Sequence, residues 1–579
     1  MAHQKESQPT PWDFLEEYRG GIFSGTWPTI PELFQISVRR YPDRPCFTVY
    51  EPDRVSLTYR EAHARILTVA QYLRSLGVEH GDRVAVTGKN SPEWAIAYLA
   101  TLFAGGIVVP IDYQLHDGEI GNLIAAGGAK VLFVDEERWD HFAGAGAGTG
   151  GKGLAAVISL SPKKDRYIYE MKAERDHPVV AAKSEEVAAI MFTSGTTGRP
   201  KGVVLTHENF VSDCLLAQAN LTILHTDVFY ALLPIHHSYC MLAVFMESFS
   251  VGAETVFGKR VAVSQILHDL RAAQVTMFLG VPMLFNKLLA GIMRGIREKG
   301  VVVYGLIRFL MWKSGLIKKM TGKNPGKKLF HSVLEKASLS SIRICISGGG
   351  PLAPSVFRQY NQLGIDFVQG YGLTETSPIL TLNPIYHYKE TSVGKVLPRT
   401  DVRILNPDSR GVGEIVVKGP MVMQGYYQMP EETAAVFTED GYFRTGDLGY
   451  LDSENYLYLT GRAKNLIVSE GGKNVYPEEI ENEFQLHDEV AQILVRGYQA
   501  DRAKKSELIE ALVFPNGDLF AGAGPEQIKA RIDEIVGEVN QRLQPYQRIN
   551  RTIIVEEEME MTSTKKIKRN TVDSSAAPE

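Results

Sequence analysis

Residues 187–207 read VAAIMFTSGTTGRPKGVVLTH. The apolar run from Val187 to Phe192 has the length and composition of a buried strand. It opens into a stretch, Thr193 to Gly202, dense in Thr and Ser hydroxyls and glycines, with one lysine, Lys201. Glycines let the backbone come close to an anion. Hydroxyls donate hydrogen bonds, and the lysine adds a point charge. A loop at the C-terminal end of a strand lies where open α/β sheets collect ligands. A plain Gly/Thr turn between two strands has a similar composition, so the loop alone does not decide the function. It is not a Walker-type loop, in which Lys follows Gly directly and Ser or Thr comes next. Here Pro200 precedes Lys201 and Gly202 follows it, and VVLTH reads as a second strand before it reads as a helix.

The surroundings have the same grammar. DRVAVTG (82–88) reads as a strand, and Asn90, Ser91 and Pro92 make a helix start before EWAIAYLATLFAGG. IVVPID, GEIGNLIAAGGA and KVLFVD continue as strand, helix and strand. Such alternation predicts an α/β fold with a parallel sheet covered by helices. At 579 residues the chain exceeds one ordinary core, so two or more domains are expected. A second, smaller unit is predicted after Gly461. The formal net charge of -5 argues against a general nucleic-acid binder. The four cysteines, Cys46, Cys214, Cys240 and Cys345, match no metal spacing, and a reduced cytoplasmic protein is expected. The N-terminus has no apolar signal core, and no run of apolar residues is long enough to span a bilayer.

FTSGTTGRPKGV (192–203) resembles the signature loop of the acyl-adenylate-forming superfamily, which includes acyl-CoA synthetases, firefly luciferase and peptide-synthetase adenylation domains. Further segments resemble that family in the same order. They are LPIHHSY (233–239), SGGGPL (347–352), QGYGLTET (369–376), YFRTGDLG (442–449), GRAKNLI (461–467), SEGGKNVYPEEIE (469–481) and MTSTKKIKR (561–569). The resemblance is greatest to bacterial long-chain fatty-acid–CoA ligases. It implies an acyl-CoA synthetase-like α/β fold. A large N-terminal domain with layered parallel sheets flanked by helices (1–461) would join, through a hinge (462–465), a small mobile α+β domain (466–579) carrying a catalytic lysine.

The reaction implied is ATP-dependent activation of a carboxylate to acyl-AMP, with release of pyrophosphate and transfer to CoA. An anionic nucleophile must approach a polyanion, so the protein has to supply cations and preorganised donors. By resemblance, the nucleotide site takes Thr193, Ser194, Gly195, Thr196, Thr197, Gly198, Lys201, Gly349, Gly350, Gln369, Gly370, Tyr371, Gly372 and Thr374, with Asp447 and Arg462 at the ribose. Tyr371 has two readings, stacking on adenine and packing in the core. Glu375 and Thr196 are the implied Mg²⁺ ligands, and hard oxygen donors suit that ion. Lys566 is the implied catalytic lysine, in the pattern of Thr562, Thr564, Ile567 and Arg569, although Lys565 stands where the family has Gly. His237, Gly280 and Pro282 border the acyl pocket, with His237 in a positioning role. Lys464 marks the hinge, where Asn465 replaces the usual acid. Gly471, Gly472 and Lys473 would face the thiol of CoA. Asp213, in SDCLLAQ (212–218), reads as a helix residue.

Residues 301–334, VVVYGLIRFLMWKSGLIKKMTGKNPGKKLFHSVL, contain no acidic residue, and lysines and Arg308 alternate with large apolar side chains. A basic amphipathic segment suits an anionic membrane surface. A helical hairpin packed on the large domain with a solvated basic face fits the same residues. A medium- or long-chain fatty acid is the expected substrate, with acyl carrier protein as an alternative acceptor. Peripheral contact with the inner face of the cytoplasmic membrane is expected of 301–334.

Overall fold

The computed structural model describes residues 9–51, 53–143, 153–178, 181–193, 200–259, 262–468, 473–498, 507–561 and 567–569. The strand–helix alternation of the sequence is realised among them. Arg83–Thr87, Ile107–Ile111, Ala129–Val134, Ala156–Ser159 and Val187–Thr193 run parallel in a seven-stranded sheet. The helix predicted after Asn90 spans Pro92–Phe103, with Pro92 in its first turn and the Ser91 hydroxyl accepting the Trp94 amide at 3.1 Å. Every residue of that helix except Glu93 is buried. A helix apolar all round belongs inside a core, and side chains such as Leu99 and Phe103 each contribute roughly 1.5–3 kcal/mol there.

The second large sheet has thirteen strands. Pro45–Val49, Glu254–Phe257, Val228–Ala231, Met277–Gly280, Ile344–Ser347 and Asp366–Gly372 are parallel, and an antiparallel run follows from Ile379–Leu382 to Asp401–Leu405. One continuous core includes residues of both sheets and of the helices between them, among them Val86, Trp94, Phe210, Phe245 and Ile344. The expected layered parallel sheets are present, each extended by antiparallel strands. The strand Lys201–Thr206 lies antiparallel to Val187–Thr193, because the glycine-rich loop is too short for a crossover helix. The C-terminal residues form a three-stranded sheet, Val490–Tyr498, Leu508–Pro515 and Arg551–Ile554, covered by the helix Pro525–Arg542 around its own core. The strand Tyr456–Arg462, which ends on the first residue of the expected hinge, still belongs to the thirteen-stranded sheet. No helix among the described residues is long and apolar enough to cross a membrane. All four cysteines are buried and unpaired.

One buried ionisable group bears on stability. Glu247 is buried in the helix Glu247–Val251, and its carboxyl takes the Gln218 amide at 2.8 Å. Burial pushes its pKa up to about 8. A carboxyl whose folded pKa is raised contributes fully below its unfolded value, and that contribution is lost as pH climbs towards the folded one. Stability therefore falls between about pH 4.5 and pH 8 at this site, by roughly 1 kcal/mol per pH unit. Glu247→Gln should remove that slope in urea unfolding; an unaltered slope would show that Glu247 is ionised in the folded protein.

Candidate active site

The loops at the C-terminal ends of both sheets converge. On the first sheet Thr193 and Lys201 face each other in register, with the Thr193 hydroxyl 3.4 Å from the Lys201 carbonyl oxygen. Ser194, Gly195, Thr196, Thr197 and Gly198 lie outside the described residues. Gly202 leaves room for nothing larger, since a Cβ there would sit 2.9 Å from Ile190 and 3.2 Å from the Tyr427 Cβ. The Tyr427 amide donates to the Gly202 carbonyl at 2.7 Å.

That last bond belongs to a short strand, Gly425–Tyr426, paired antiparallel with Val203 and Val204. It places Tyr426 over the site. The Lys201 ammonium stands 4.7 Å from the centre of the Tyr426 ring, and the Tyr426 hydroxyl donates to Glu375 Oε1 at 3.0 Å. Burial and the Glu375 carboxylate both push the Tyr426 hydroxyl up, so it stays a donor. A cation on the ring face and a carboxylate on the hydroxyl tie together the two expected charges of the phosphate end. Sequence reasoning missed Tyr426. The signal was QGYYQ (424–428), an aromatic pair beside a glycine, and buried tyrosines seek a polar partner.

Glu375 sits in the one-turn segment Thr374–Thr376 and accepts the Met423 amide on its carbonyl at 2.9 Å. The Thr374 hydroxyl is 3.1 Å from that of Ser238, next to His237. The chain turns back so tightly here that a Cβ on Gly372 would lie 1.5 Å from the Pro378 carbonyl oxygen. Glu375 keeps a hard carboxylate in this turn, a donor that fits Mg²⁺. Thr196, its expected partner as metal ligand, lies outside the described residues. The described groups whose ligand atoms come within 4.8 Å of one another are instead Asp112, His236 and His237. Two imidazoles suit Mg²⁺ poorly. Asp112 Oδ1 lies 3.4 Å from buried His236 Nε2, and the His236 and His237 rings are 4.3 Å apart.

The histidine segment is held by Asn90. Its amide donates to the carbonyls of Ala231 and Leu233 at 2.9 and 2.8 Å, and its carbonyl takes the Ile235 amide at 2.9 Å. The sequence suggested only a helix start there. Beyond His237, the Tyr239 hydroxyl donates to the Ile346 carbonyl at 3.1 Å, and its ring lies where a Cβ on Gly348 would be, 2.9 Å away. Gly280 abuts Leu284 and Phe285, and Gly350, expected at the nucleotide, abuts Pro282, expected at the acyl pocket. Gly349 has φ +78°, a conformation that favours glycine.

At the expected ribose end, Asp447 is buried on the strand Phe443–Leu451, directly across from Arg462. Arg462 Nε is 2.8 Å from one carboxylate oxygen, and the Tyr371 hydroxyl donates to the other at 2.6 Å. Burial and Asp447 hold the Tyr371 hydroxyl far above its ordinary pKa. The Tyr371 hydroxyl is committed to Asp447, and its partly buried ring packs against the core, the second of the two readings of this residue. Gln369 is buried, and its carbonyl and Gly370 are fastened to the strand Ile379–Leu382 and Asn383. Asp213 is wholly buried in the helix His207–Ala217, as the sequence suggested, with Oδ2 accepting the Ile379 amide at 2.8 Å, so it braces this strand.

Lys566, Gly471 and Gly472 lie outside the described residues, and Lys473 is exposed. Three residues beyond Lys566, Arg569 is anchored in the C-terminal unit by Glu481 at 2.6 Å and the Val495 carbonyl at 2.8 Å. Burial, followed by Arg462 and Arg569, depresses the pKa of Lys464. The neighbouring Asn465 amide donates to Glu478 at 2.5 Å.

Comparison with known proteins shows the family. The family model "AMP-binding enzyme" matches residues 34–427, and "AMP-binding enzyme C-terminal domain" matches 464–577. The chain is 30% identical over 502 residues to a feruloyl-CoA synthase of Amycolatopsis sp, covering 85% of this chain and 88% of that one. It is 28% identical over 593 residues to a long-chain-fatty-acid–CoA ligase of Bacillus subtilis (strain 168), covering 93% of each. The crystal structure of ATP-bound MatB from Rhodopseudomonas palustris superposes with a TM-score of 0.74 at 27% identity, over 94% of this chain and 98% of that one. The chain belongs to the AMP-binding, adenylate-forming enzyme family, and its class is that of an AMP-forming acyl- or aryl-CoA ligase using ATP and CoA.

The contacts of Tyr426 generate a prediction. Tyr426→Phe keeps the ring under Lys201 and removes the bond to Glu375. It should slow ATP-dependent pyrophosphate release about 10–100-fold without altering the melting temperature. An unchanged rate would remove Tyr426 from the site.

Proposed function

We propose that this chain activates a medium- or long-chain fatty acid and delivers it to CoA. What carries the reading is the similarity to the Bacillus long-chain ligase, which runs nearly the full length of both chains. In the first step an oxygen of the fatty carboxylate attacks the α-phosphorus of ATP, and the bond to the β-phosphate oxygen breaks. Acyl-AMP forms and pyrophosphate leaves. In the second step the CoA sulfur attacks the acyl carbon, loses its proton, and AMP departs.

The residues have distinct work in this scheme. Lys201, Thr193, Ser194, Gly195, Thr196, Thr197 and Gly198 hold the β- and γ-phosphates. Lys201 lies against Tyr426, which in turn orients Glu375. Bound through Glu375 and Thr196, Mg²⁺ would neutralise the leaving pyrophosphate. Asp447, positioned by Tyr371 and Arg462, accepts the ribose hydroxyls. Gly349, Gly350, Gln369, Gly370, Gly372 and Thr374 form the walls of the nucleotide pocket. His237 positions the carboxylate at the mouth of the acyl pocket, beside Gly280 and Pro282. Lys566 steadies the α-phosphate oxygens as charge shifts during the first step. The domain 466–579 then turns about 462–465, withdrawing Lys566 and bringing Gly471, Gly472 and Lys473 to the thiol. Staged completion of a site by a hinge is a known device. An enzyme for such acids works on the cytoplasmic side, beside the bilayer in which they dissolve, with 301–334 as its contact.

A second reading replaces the fatty acid by an aryl acid, as the similarity to feruloyl-CoA synthase suggests. Pyrophosphate release with ATP and Mg²⁺ across acids from acetate to oleate, and ferulate, each with and without CoA, separates the two. Turnover with long acids that rises with CoA is expected. Turnover with ferulate alone would refute the fatty-acid reading. A stoichiometric burst that CoA does not relieve would refute CoA as acceptor and point to acyl carrier protein. Lys566→Ala should cripple acyl-AMP formation yet leave thioester formation from supplied acyl-AMP within a few-fold of wild type. Equal loss of both half-reactions would contradict the two-orientation account.

A further inference from the structure

The helix Val301–Thr321 has two apolar faces, and the fold uses one. Ile307, Met311, Ser314 and Lys318 turn inward, spaced three and four apart. Met311 joins the core with Phe285 and Phe357. Lys318 is buried, and its ammonium donates to Asn361 Oδ1 at 2.5 Å and Asp366 Oδ1 at 2.7 Å. A Cβ on Gly315 would lie 2.8 Å from Gln362, so the helix sits hard against Pro354–Leu363. The segment is thus packed on the large domain, and the packing fixes which side faces out.

The outer side carries Val302 (85% exposed), Leu306 (57%), Phe309 (49%), Trp312 (54%) and Met320 (76%). Phe309 and Trp312 stack with centroids 6.1 Å apart, and the Lys313 ammonium lies 4.8 Å from the Phe309 ring centre. Lys313, Lys319, Lys323 and Lys328 are exposed along the same segment, and no Asp or Glu occurs between Glu298 and Glu335. Large apolar side chains exposed in a row need a covering. A second copy of this face would set cation against cation, which costs energy in any symmetric pairing. Apolar and aromatic side chains interleaved with lysines match the boundary between acyl chains and anionic headgroups.

We propose that the outer face of Val301–Thr321 docks on an anionic lipid bilayer. Val302, Leu306, Phe309, Trp312 and Met320 enter the headgroup boundary, and the exposed lysines meet lipid phosphates. The preceding helix, Pro282–Arg297, packs against it and begins at Pro282, which with Gly280 borders the acyl pocket in the function proposed above. Docking therefore places the apolar hairpin between the bilayer and the acyl pocket. That a fatty acid is the cargo rests on the function proposed above; the docking face does not.

The test is flotation of the full-length protein with vesicles of phosphatidylcholine, alone or mixed with phosphatidylglycerol, without ATP or acid. Binding to the mixed vesicles, weakened by salt, is expected. Joint reversal of Lys313, Lys319 and Lys323 to Glu should lower the partition coefficient about 100-fold. Leu306→Ser with Trp312→Ser should lower it by at least about tenfold. Melting temperatures should stay at the wild-type value in both. Absence of binding to mixed vesicles, or equal binding by wild type and variants, would overturn the proposal. So would a wild-type dimer in light scattering that the variants convert to monomer. Vesicle binding by a protein that activates only aryl acids would refute the fatty-acid reading and leave this face standing.

Discussion

The structure depends on one stitch between its two large sheets. Residues 420–427 leave the thirteen-stranded sheet and end as a strand on the edge of the seven-stranded one. On the way, the carbonyls of Pro420 and Val422 take the Asn209 amide, the Met421 carbonyl takes the Ser377 hydroxyl, and the Met423 amide donates to Glu375. Gly425 and Tyr426 then pair with Val204 and Val203. Each bond is ordinary, worth about 1 kcal/mol net. Their joint effect is to set the distance between Lys201 on one sheet and the Glu375 carboxylate on the other. A ligand bridging both loops meets donors whose spacing is already fixed, which is what electrostatic preorganisation requires.

The same device appears twice along the cleft. Tyr426 donates to Glu375, and Tyr371 donates to Asp447. In each pair burial and the carboxylate raise the tyrosine's pKa, so the phenol is a permanent donor and the carboxylate keeps one oxygen committed. The carboxylate cannot rotate freely, and its other oxygen has a defined direction. Arg462 uses that direction at Asp447. Lys201, placed on the face of Tyr426, couples the phosphate end to this arrangement through the ring.

Part of this was legible in the sequence. The strand, helix and strand from Arg83 to Val134 could be read because Ser91 and Pro92 are local signals and the apolar runs are continuous. The pairing of Asp447 with Arg462 followed from the family resemblance, which puts both at the ribose, rather than from spacing. Tyr426 and Asn90 escaped because their partners, Glu375 and Ile235, lie 51 and 145 residues away. No local pattern marks a hydrogen bond of that span. The antiparallel pairing of Lys201–Thr206 needed the neighbour order of the sheet, which periodicity does not encode. Segment 301–334 was ambiguous for a physical reason: a helix apolar on both sides has no pattern that tells the packed face from the open one. Lys318 illustrates it, being one basic residue among several in the sequence and the only one of them bound to both Asn361 and Asp366.

The central claim is that the carboxylate attacks the α-phosphorus in a site stretched between the two sheets. It is tested most directly by running the complete reaction with an acid whose carboxylate oxygens are ¹⁸O and locating the label by mass spectrometry. The account predicts one labelled oxygen in AMP and none in pyrophosphate. Label in pyrophosphate or free phosphate would mean that the acid attacked another phosphorus, and the assignment of the cleft to adenylate formation would be wrong.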